Sequence, residues 1–362
     1  MLVLWVHLPL GALGESAAAF RTQFLPGNVG VDLFFVLSGF LITRILLVDR
    51  ESKVPLRYFL FRRFLRIFPI YYLSILLLLP QLDAGEIAAA ATYTSNYAFI
   101  FRDTQCALEH TWSLAVEEHF YLLWPPVVAF LSPLVSRRVL LFAVIPVAIL
   151  SSALGLVLGN FAEHQDALEE FFLRSSTVRF FSLGLGALMA YHEVWIRSSR
   201  VRATGLVFAC GAICWVLSEG GLQRIGLDGL LGKLPGEAGD PRNFTRAILP
   251  FSIPFGSAAA VLAGVAWTGG FSPQGALLKL PPLRWVGRIS YGIYLYHYPI
   301  FTGGVWGPEP VTPSAVRVVG VLALCIGAAA LSYSLIERPL LAIGARFRGP
   351  RPGPSTGEAS RG

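Results

Sequence analysis

The feature that most limits the fold of this chain is a series of long apolar runs with few charges in them. A helix crossing the roughly 30 Å of hydrocarbon in a bilayer needs about 20 mostly apolar residues. Read with that window, the 362-residue sequence gives ten candidate spans: 1–14, 30–48, 64–80, 112–131, 138–159, 174–192, 202–218, 247–268, 288–306 and 315–336. Charged residues make up only 14% of the chain and hydrophobic ones 54%, whereas a soluble domain carries about a quarter charged residues. The expected class is all-α: a polytopic membrane helix bundle of about ten transmembrane helices, forming one domain over 1–340. A tail, 341–362, rich in Pro, Gly and Arg, is expected to be disordered. There is no internal repeat, which weakens any analogy with transporters built from duplicated halves.

Basic residues orient the bundle. With the N-terminus cytoplasmic, the inner loops and tail hold 19 of the 29 Lys and Arg and the outer loops 6. By the positive-inside rule both termini are cytoplasmic. The formal charge of +7 is thereby assigned to topology and not to a nucleic-acid patch. The first run, "MLVLWVHLPLGALG", is 14 residues, too short to cross at 1.5 Å per residue. Either "ESAAAF" continues the helix through Glu15 or the first span begins upstream of Met1, and the second is expected. No cleavable leader is read, and the first span itself would direct insertion. The four cysteines, Cys106, Cys210, Cys214 and Cys325, have neither zinc-site nor disulfide-framework spacing and read as buried thiols. No metal is expected.

Against this background a few ionisable residues stand out at membrane depth, where each costs at least ~2.5 kcal/mol. They are His7, Asp32, Glu117, Glu118, His119, Arg179 and His297. In "HTWSLAVEEHFYLLWP" a helix starting near Trp112 puts Ser113, Glu117 and Tyr121 on one face. Glu118 sits about 100° further round and His119 lies over Trp112. The two carboxylates either pair with arginines of neighbouring spans or serve chemistry, and the Glu-Glu-His triplet favours the second. In "RISYGIYLYHYPIF", His297 is a candidate proton acceptor, flanked by Tyr291, Tyr294, Tyr296 and Tyr298. The alternative is an aromatic belt. Pro299 cannot donate to the carbonyl of Leu295 and should kink this helix beside His297.

His7 alone in "LWVHLPL" does not decide between packing and function. In "GNVGVDLFFVLSGFLI", Ser38 and Gly39 permit close helix approach, with Asp32 the polar exception. Arg57, Arg62, Arg63 and Arg66 in "RYFLFRRFLRIFPIYYL" either snorkel to lipid phosphate or grip a phosphorylated cytoplasmic ligand.

Taken in order, "LWVHLPL", "GVDLFFVLSGFLI", "RYFLFRRFLRIFPIYYL", "HTWSLAVEEHFYLLWP", "RFFSLGLGALMA", "ISYGIYLYHYPIF" and "SLIERPL" resemble the acyltransferase-3 family of membrane-bound O-acyltransferases. The resemblance runs from His7 to Pro339. It implies transfer of an acyl group, commonly acetyl, from cytoplasmic acyl-CoA to a hydroxyl of a carbohydrate acceptor, often a cell-envelope or exported glycan, in the bacterial inner membrane.

It further implies that His7 leads the catalytic set, with Glu117, Glu118 and His297. Arg62, Arg63 and Arg66 would bind acyl-CoA near its phosphates. The neighbouring polar and aromatic residues Asp32, Ser38, Trp112, Ser113, Tyr121, Arg179 and Tyr294 would line the substrate site. Three departures are expected to matter. The basic residue eleven positions before the family's first-span histidine would fall before Met1. His119 replaces a glutamine. Ser182 stands where glutamate is frequent, which would leave Arg179 without that neighbour. The rival readings are a proton-coupled transporter of a polyol or glycan, marked by the same buried ionisable residues, and a non-catalytic family member.

Overall fold

The computed structural model describes residues 4, 7, 28–101, 106–159, 165–217, 241–267, 279–302 and 315–347. These are helical throughout apart from short turns, in chain order α1 (Asn28–Glu51), α2 (Leu56–Leu78), α3 (Ala84–Ala91), α4 (Ser95–Phe101), α5 (Trp112–Phe130), α6 (Pro133–Val139), α7 (Ile145–Gly159) and α8 (Gln165–Arg174). There follow α9 (Ser176–Tyr191), α10 (Glu193–Arg197), α11 (Arg200–Val216), α12 (Pro241–Trp267), α13 (Pro281–Thr302), α14 (Ala315–Ser332) and α15 (Arg338–Ala345). Five-residue π turns, Leu140–Val144 and Tyr333–Glu337, join α6 to α7 and α14 to α15. No strand occurs among the described residues.

Every expected span from 30–48 onwards corresponds to one of these helices, whereas 1–14 lies outside the described residues except for Leu4 and His7. Only four helical stretches among the described residues are both long and apolar enough to cross a membrane: Val29–Glu51, Leu56–Gln81, Pro133–Gly155 and Val318–Ala345. The others fall short for physical reasons. The 17 residues of α11 reach about 26 Å, and α5 carries Glu117 and Glu118 in its second turn. Exposed Leu76, Leu77, Leu122, Phe142, Leu150 and Val316 turn apolar side chains outward, the pattern of a surface in contact with lipid rather than water.

Three expectations change. Part of the expected outer loop 81–110 is helical, as α3 and α4. A 20-residue window passes over elements this short, although the Asp83–Glu86 capping box marks the first of them. The domain boundary at 340 falls inside α15, and Phe347 packs on Tyr58 and Phe61. The tail is therefore ordered to that residue, because its aromatic ring closes on α2. Two helices end with a non-glycine residue in the left-handed region: Lys53 after α1 (φ 54°) and Tyr93 after α3 (φ 55°). In each case the next amide, Val54 or Thr94, reaches back to Asp49 O (2.7 Å) or Ala89 O (2.8 Å). This is the Schellman closure that terminates a helix.

The closest helix pair is α1 with α9. A Cβ added to Gly39 would come within 2.0 Å of Leu183 O, and one added to Gly186 within 1.9 Å of Val36 O. The two backbones touch there because neither residue has a side chain. The expected role of Gly39 is thus met, while Ser38 turns elsewhere. The main core gathers Phe35, Ile70, Tyr71, Leu114, Val116, Phe120, Leu183 and Leu295, from α1, α2, α5, α9 and α13. On one flank α14 covers α13 through Ile289, Ile293, Val321 and Ala329. On another, α11 and α12 cover α1 and α9 through Val36, Met189, Ala203 and Ala258.

Candidate active site

The face of α5 expected to be polar meets three different helices. Ser113 touches α13: its hydroxyl contacts that of Tyr294, and Tyr294 Oη donates to His110 O (2.9 Å). One turn on, Glu117 is 3% exposed. Its Oε1 accepts from Ser38 Oγ of α1, from Tyr121 Oη of α5, and from Arg63 of α2 at 3.0 Å. The Arg63 guanidinium also lies 3.8 Å above the Tyr121 ring. Low dielectric makes such a pair favourable only when the remaining lone pairs find donors, and Ser38 and Tyr121 supply them. Glu118, partly buried, has no hydrogen-bond partner among the described residues. His119 leaves the group altogether: its Nδ1 meets Ser176 Oγ (2.7 Å) and its ring stacks on Tyr97.

Asp32 and Arg179 form a second buried ion pair, 0% and 3% exposed, with Nη1 at 3.1 and 2.9 Å from the two carboxylate oxygens. Ser182 Oγ donates to the same carboxylate at 2.7 Å, and Arg179 Nε donates to Leu173 O at 2.6 Å. Arg179 is therefore not short of a neighbour where Ser182 replaces glutamate. Asp32 brings the charge and Ser182 a donor. Trp112 packs under Arg179 (5.9 Å) and edge-on to Phe35 (6.2 Å). Burial of all four groups makes this a clamp between α1, α5 and α9, with no exposed polar edge for a substrate.

Of the three arginines expected to bind a phosphorylated donor, two are engaged internally. Arg63 holds Glu117, and Arg62 pairs with Asp49 and donates to Phe347 O (2.6 Å). Arg66 is exposed.

The third constellation is built from imidazoles. His297, fully buried on α13, has Nδ1 2.5 Å from Tyr294 O and Nε2 3.2 Å from His7 Nδ1. A carbonyl can only accept, so His297 Nδ1 carries the hydrogen and Nε2 the lone pair. His7 must then donate from Nδ1, and its own Nε2 bears the lone pair. A backbone carbonyl thus fixes the tautomer of one histidine, which fixes that of the next.

Around them the ring of Tyr298 lies edge-on to His7 (5.2 Å) and stacks on His110 (5.3 Å). Tyr298 Oη donates to Glu109, whose other oxygen takes Arg174 at 2.7 Å. His110 is 3% exposed, with its ring 5.3 Å from that of His297. His110 was visible in the quoted stretch as its first residue but was not among the expected site residues. The signal lay in Pro299: a carbonyl freed inside a buried helix needs another donor.

An all-helical bundle with apolar side chains turned outward, buried ion pairs and a buried imidazole pair has the character of a membrane protein. The family model for the acyltransferase domain matches residues 1–337, and the chain belongs to the acyltransferase-3 family. It is 30% identical over 345 residues to the peptidoglycan O-acetyltransferase OatA of Listeria monocytogenes, covering 87% of this chain and 51% of that protein. It is 30% identical to the putative peptidoglycan O-acetyltransferase YrhL of Bacillus subtilis (88% and 51% covered). It is 28% identical to the O-acetyltransferase OatA of Staphylococcus aureus (88% and 54%). The chain spans about half the length of these curated relatives. No solved structure matches it.

Proposed function

We propose that this chain is a multi-pass O-acyltransferase of the bacterial inner membrane that moves an acetyl group from cytoplasmic acetyl-CoA to a hydroxyl of a cell-envelope glycan. Peptidoglycan is the acceptor favoured by the names of its relatives. In this reading the chain crosses the membrane about ten times with both ends in the cytoplasm. The observation that carries the chemistry is the Tyr294 O–His297–His7 chain at 2.5 and 3.2 Å.

His7 Nε2, held as the lone-pair nitrogen, takes the proton of the acceptor hydroxyl as its oxygen attacks the thioester carbonyl. The C–S bond breaks, and the same proton passes to the departing CoA sulfur. No net charge is left on the imidazole. That suits a site where an isolated ion is costly. His297 positions His7 and does not itself exchange a proton, because its only acidic hydrogen is committed to a backbone carbonyl. Arg66, exposed where Arg62 and Arg63 are engaged internally, is the arginine of those three that would meet CoA phosphate.

The transporter reading has no use for a fixed tautomer pair that ends on a carbonyl, which cannot pass a proton on. The test is CoA-thiol release from acetyl-CoA by membranes carrying the full-length protein, with and without peptidoglycan fragments. Wild type should release thiol and label the glycan. His7→Ala should abolish both, and His297→Ala should reduce them by about two orders of magnitude. Acetyl-CoA turnover unchanged in His7→Ala would sink the proposal.

A further inference from the structure

The sequence of α13 contains a defect that the helix cannot mend by itself. Pro299 has no amide hydrogen, so the carbonyl four residues back, Leu295 O, loses its helical donor. Leu295 is fully buried, out of reach of water, and α13 nevertheless runs on to Thr302. The donor comes from another segment: His110 Nε2 lies 3.0 Å from Leu295 O. As that oxygen can only accept, His110 carries its hydrogen on Nε2, and Nδ1 is left with a lone pair. That lone pair is buried and has no partner among the described residues.

The freed carbonyl sits one residue beyond Tyr294, whose own carbonyl fixes the tautomer of His297. His110 is tied to Tyr294 as well, through its backbone oxygen and the Tyr294 hydroxyl (2.9 Å). Both ends of His110 therefore hold the turn from which His297 projects. Its ring also backs on His297 (5.3 Å) and Tyr298 (5.3 Å), the two rings that flank His7.

We infer that His110 is a positioning residue for the acyl transfer: by donating to the carbonyl that Pro299 frees, it sets the turn of α13 that holds His297, and through it His7, in register. The inference rests on the acyltransferase reading for its consequence but not for its geometry. A histidine at 110 is needed only for a donor at the Nε2 position. Glutamine places an amide N–H close to that position. Asparagine reaches only as far as Nδ1, and phenylalanine fills the space with no donor.

The experiment uses full-length protein in membranes, carrying His110→Gln, His110→Asn or His110→Phe, each alone and with Pro299→Ala. Alanine at 299 returns an amide to the helix and gives Leu295 O its own donor. Two readouts are taken from the folded fraction: CoA-thiol release from acetyl-CoA, and the rate at which diethylpyrocarbonate modifies His7, followed by mass spectrometry without any substrate. Expected is a fall of at least tenfold in kcat for the Phe and Asn variants with the acetyl-CoA KM unchanged, and a slowing of His7 modification of at least fivefold. The Gln variant should stay within about threefold of wild type in both.

In the Pro299→Ala background, His110→Phe should cost no further thermal stability, because the carbonyl no longer depends on it. Loss of activity in Gln equal to that in Phe would overturn the inference. So would rescue by Asn and not by Gln, which would move the function to Nδ1. Absence of CoA release from wild type, with the modification pattern intact, would remove the enzyme reading and leave the positioning role standing.

Discussion

Glu117 is the residue whose environment can be tested most quantitatively. Its Oε1 lies 3.0 Å from an Arg63 nitrogen, with side chains 4% and 19% exposed. At that separation an effective dielectric of about 20 gives an attraction of roughly 5 kcal/mol. Desolvation offsets most of this gain, but removing one partner leaves the other's desolvation uncompensated and costs about 3–5 kcal/mol. The two partners are not equivalent. Arg63 retains some solvent contact and the face of Tyr121 (3.8 Å), whereas Glu117 without Arg63 retains only the Ser38 and Tyr121 hydroxyls.

Arg63→Met should therefore destabilise by the upper part of that range and Glu117→Gln by less. The double variant should be better than the sum of the two by about 2 kcal/mol or more. By size scaling, each kcal/mol corresponds to roughly 1–2 °C in a chain this long, so the Arg63 variant should melt about 4–10 °C lower. The assay is thermal unfolding in detergent at one fixed scan rate for all four forms, since membrane proteins unfold irreversibly and apparent midpoints depend on rate. Additivity within about 0.5 kcal/mol would refute the reasoning and show that the two groups act independently.

Other consequences follow from single contacts. Gly186→Ala puts a methyl within 1.9 Å of Val36 O, so α1 and α9 must part. The variant should lose about 3 kcal/mol or more and weaken the Asp32–Arg179 clamp, seen as a lowered thermal midpoint. Arg66→Ala should raise the acetyl-CoA KM about tenfold with kcat unchanged. Arg62→Ala, which loses Asp49 and the Phe347 carbonyl, should instead free the 338–347 segment to proteolysis. Cys106 lies between α4 and α5, and burial pushes its thiol up to about 12. It should resist maleimide at neutral pH in the folded protein and react once the chain is unfolded.

The parts of this architecture that were legible in the sequence are those set by composition and period. Apolar runs gave the long helices because only a helix satisfies every backbone group in lipid. The i, i+4, i+8 spacing of Ser113, Glu117 and Tyr121 gave their common face. What was not legible is pairing across helices. Asp32 and Arg179 are 147 positions apart, and nothing local in "GVDLFF" or "STVRFF" indicates that one satisfies the other. Arg63 reads as part of a basic stretch with Arg62 and Arg66, yet it diverges from Arg62 because successive residues on a helix are turned by about 100°. His119 reads as one triplet with Glu117 and Glu118, and the same rotation sends it to Ser176 instead. His110 stayed hidden for a related reason: its demand is created by Pro299, and only the fold brings the two together.

The charged and the neutral titratable groups of this bundle have been sorted by what low dielectric permits. A carboxylate buried among helices survives by collecting donors, and each donor it collects occupies one of its lone pairs. Glu117 Oε1 has three and Asp32 is held by a guanidinium and a hydroxyl. Such groups tie helices together. Imidazole escapes the dilemma because it is basic while uncharged, so it can be buried without a counter-ion and still hold a lone pair. Of the Glu-Glu-His stretch that draws the eye in the sequence, the first carboxylate fastens α1, α2 and α5. In the proposed mechanism the reactive nitrogen belongs to a quieter pair, His7 positioned by His297, which becomes conspicuous only when Tyr294 O orders their hydrogens. If that division is right, Glu117→Gln should retain measurable acetyl transfer at temperatures where it stays folded, while His7→Gln should retain none. Equal loss in both would return Glu117 to the chemistry.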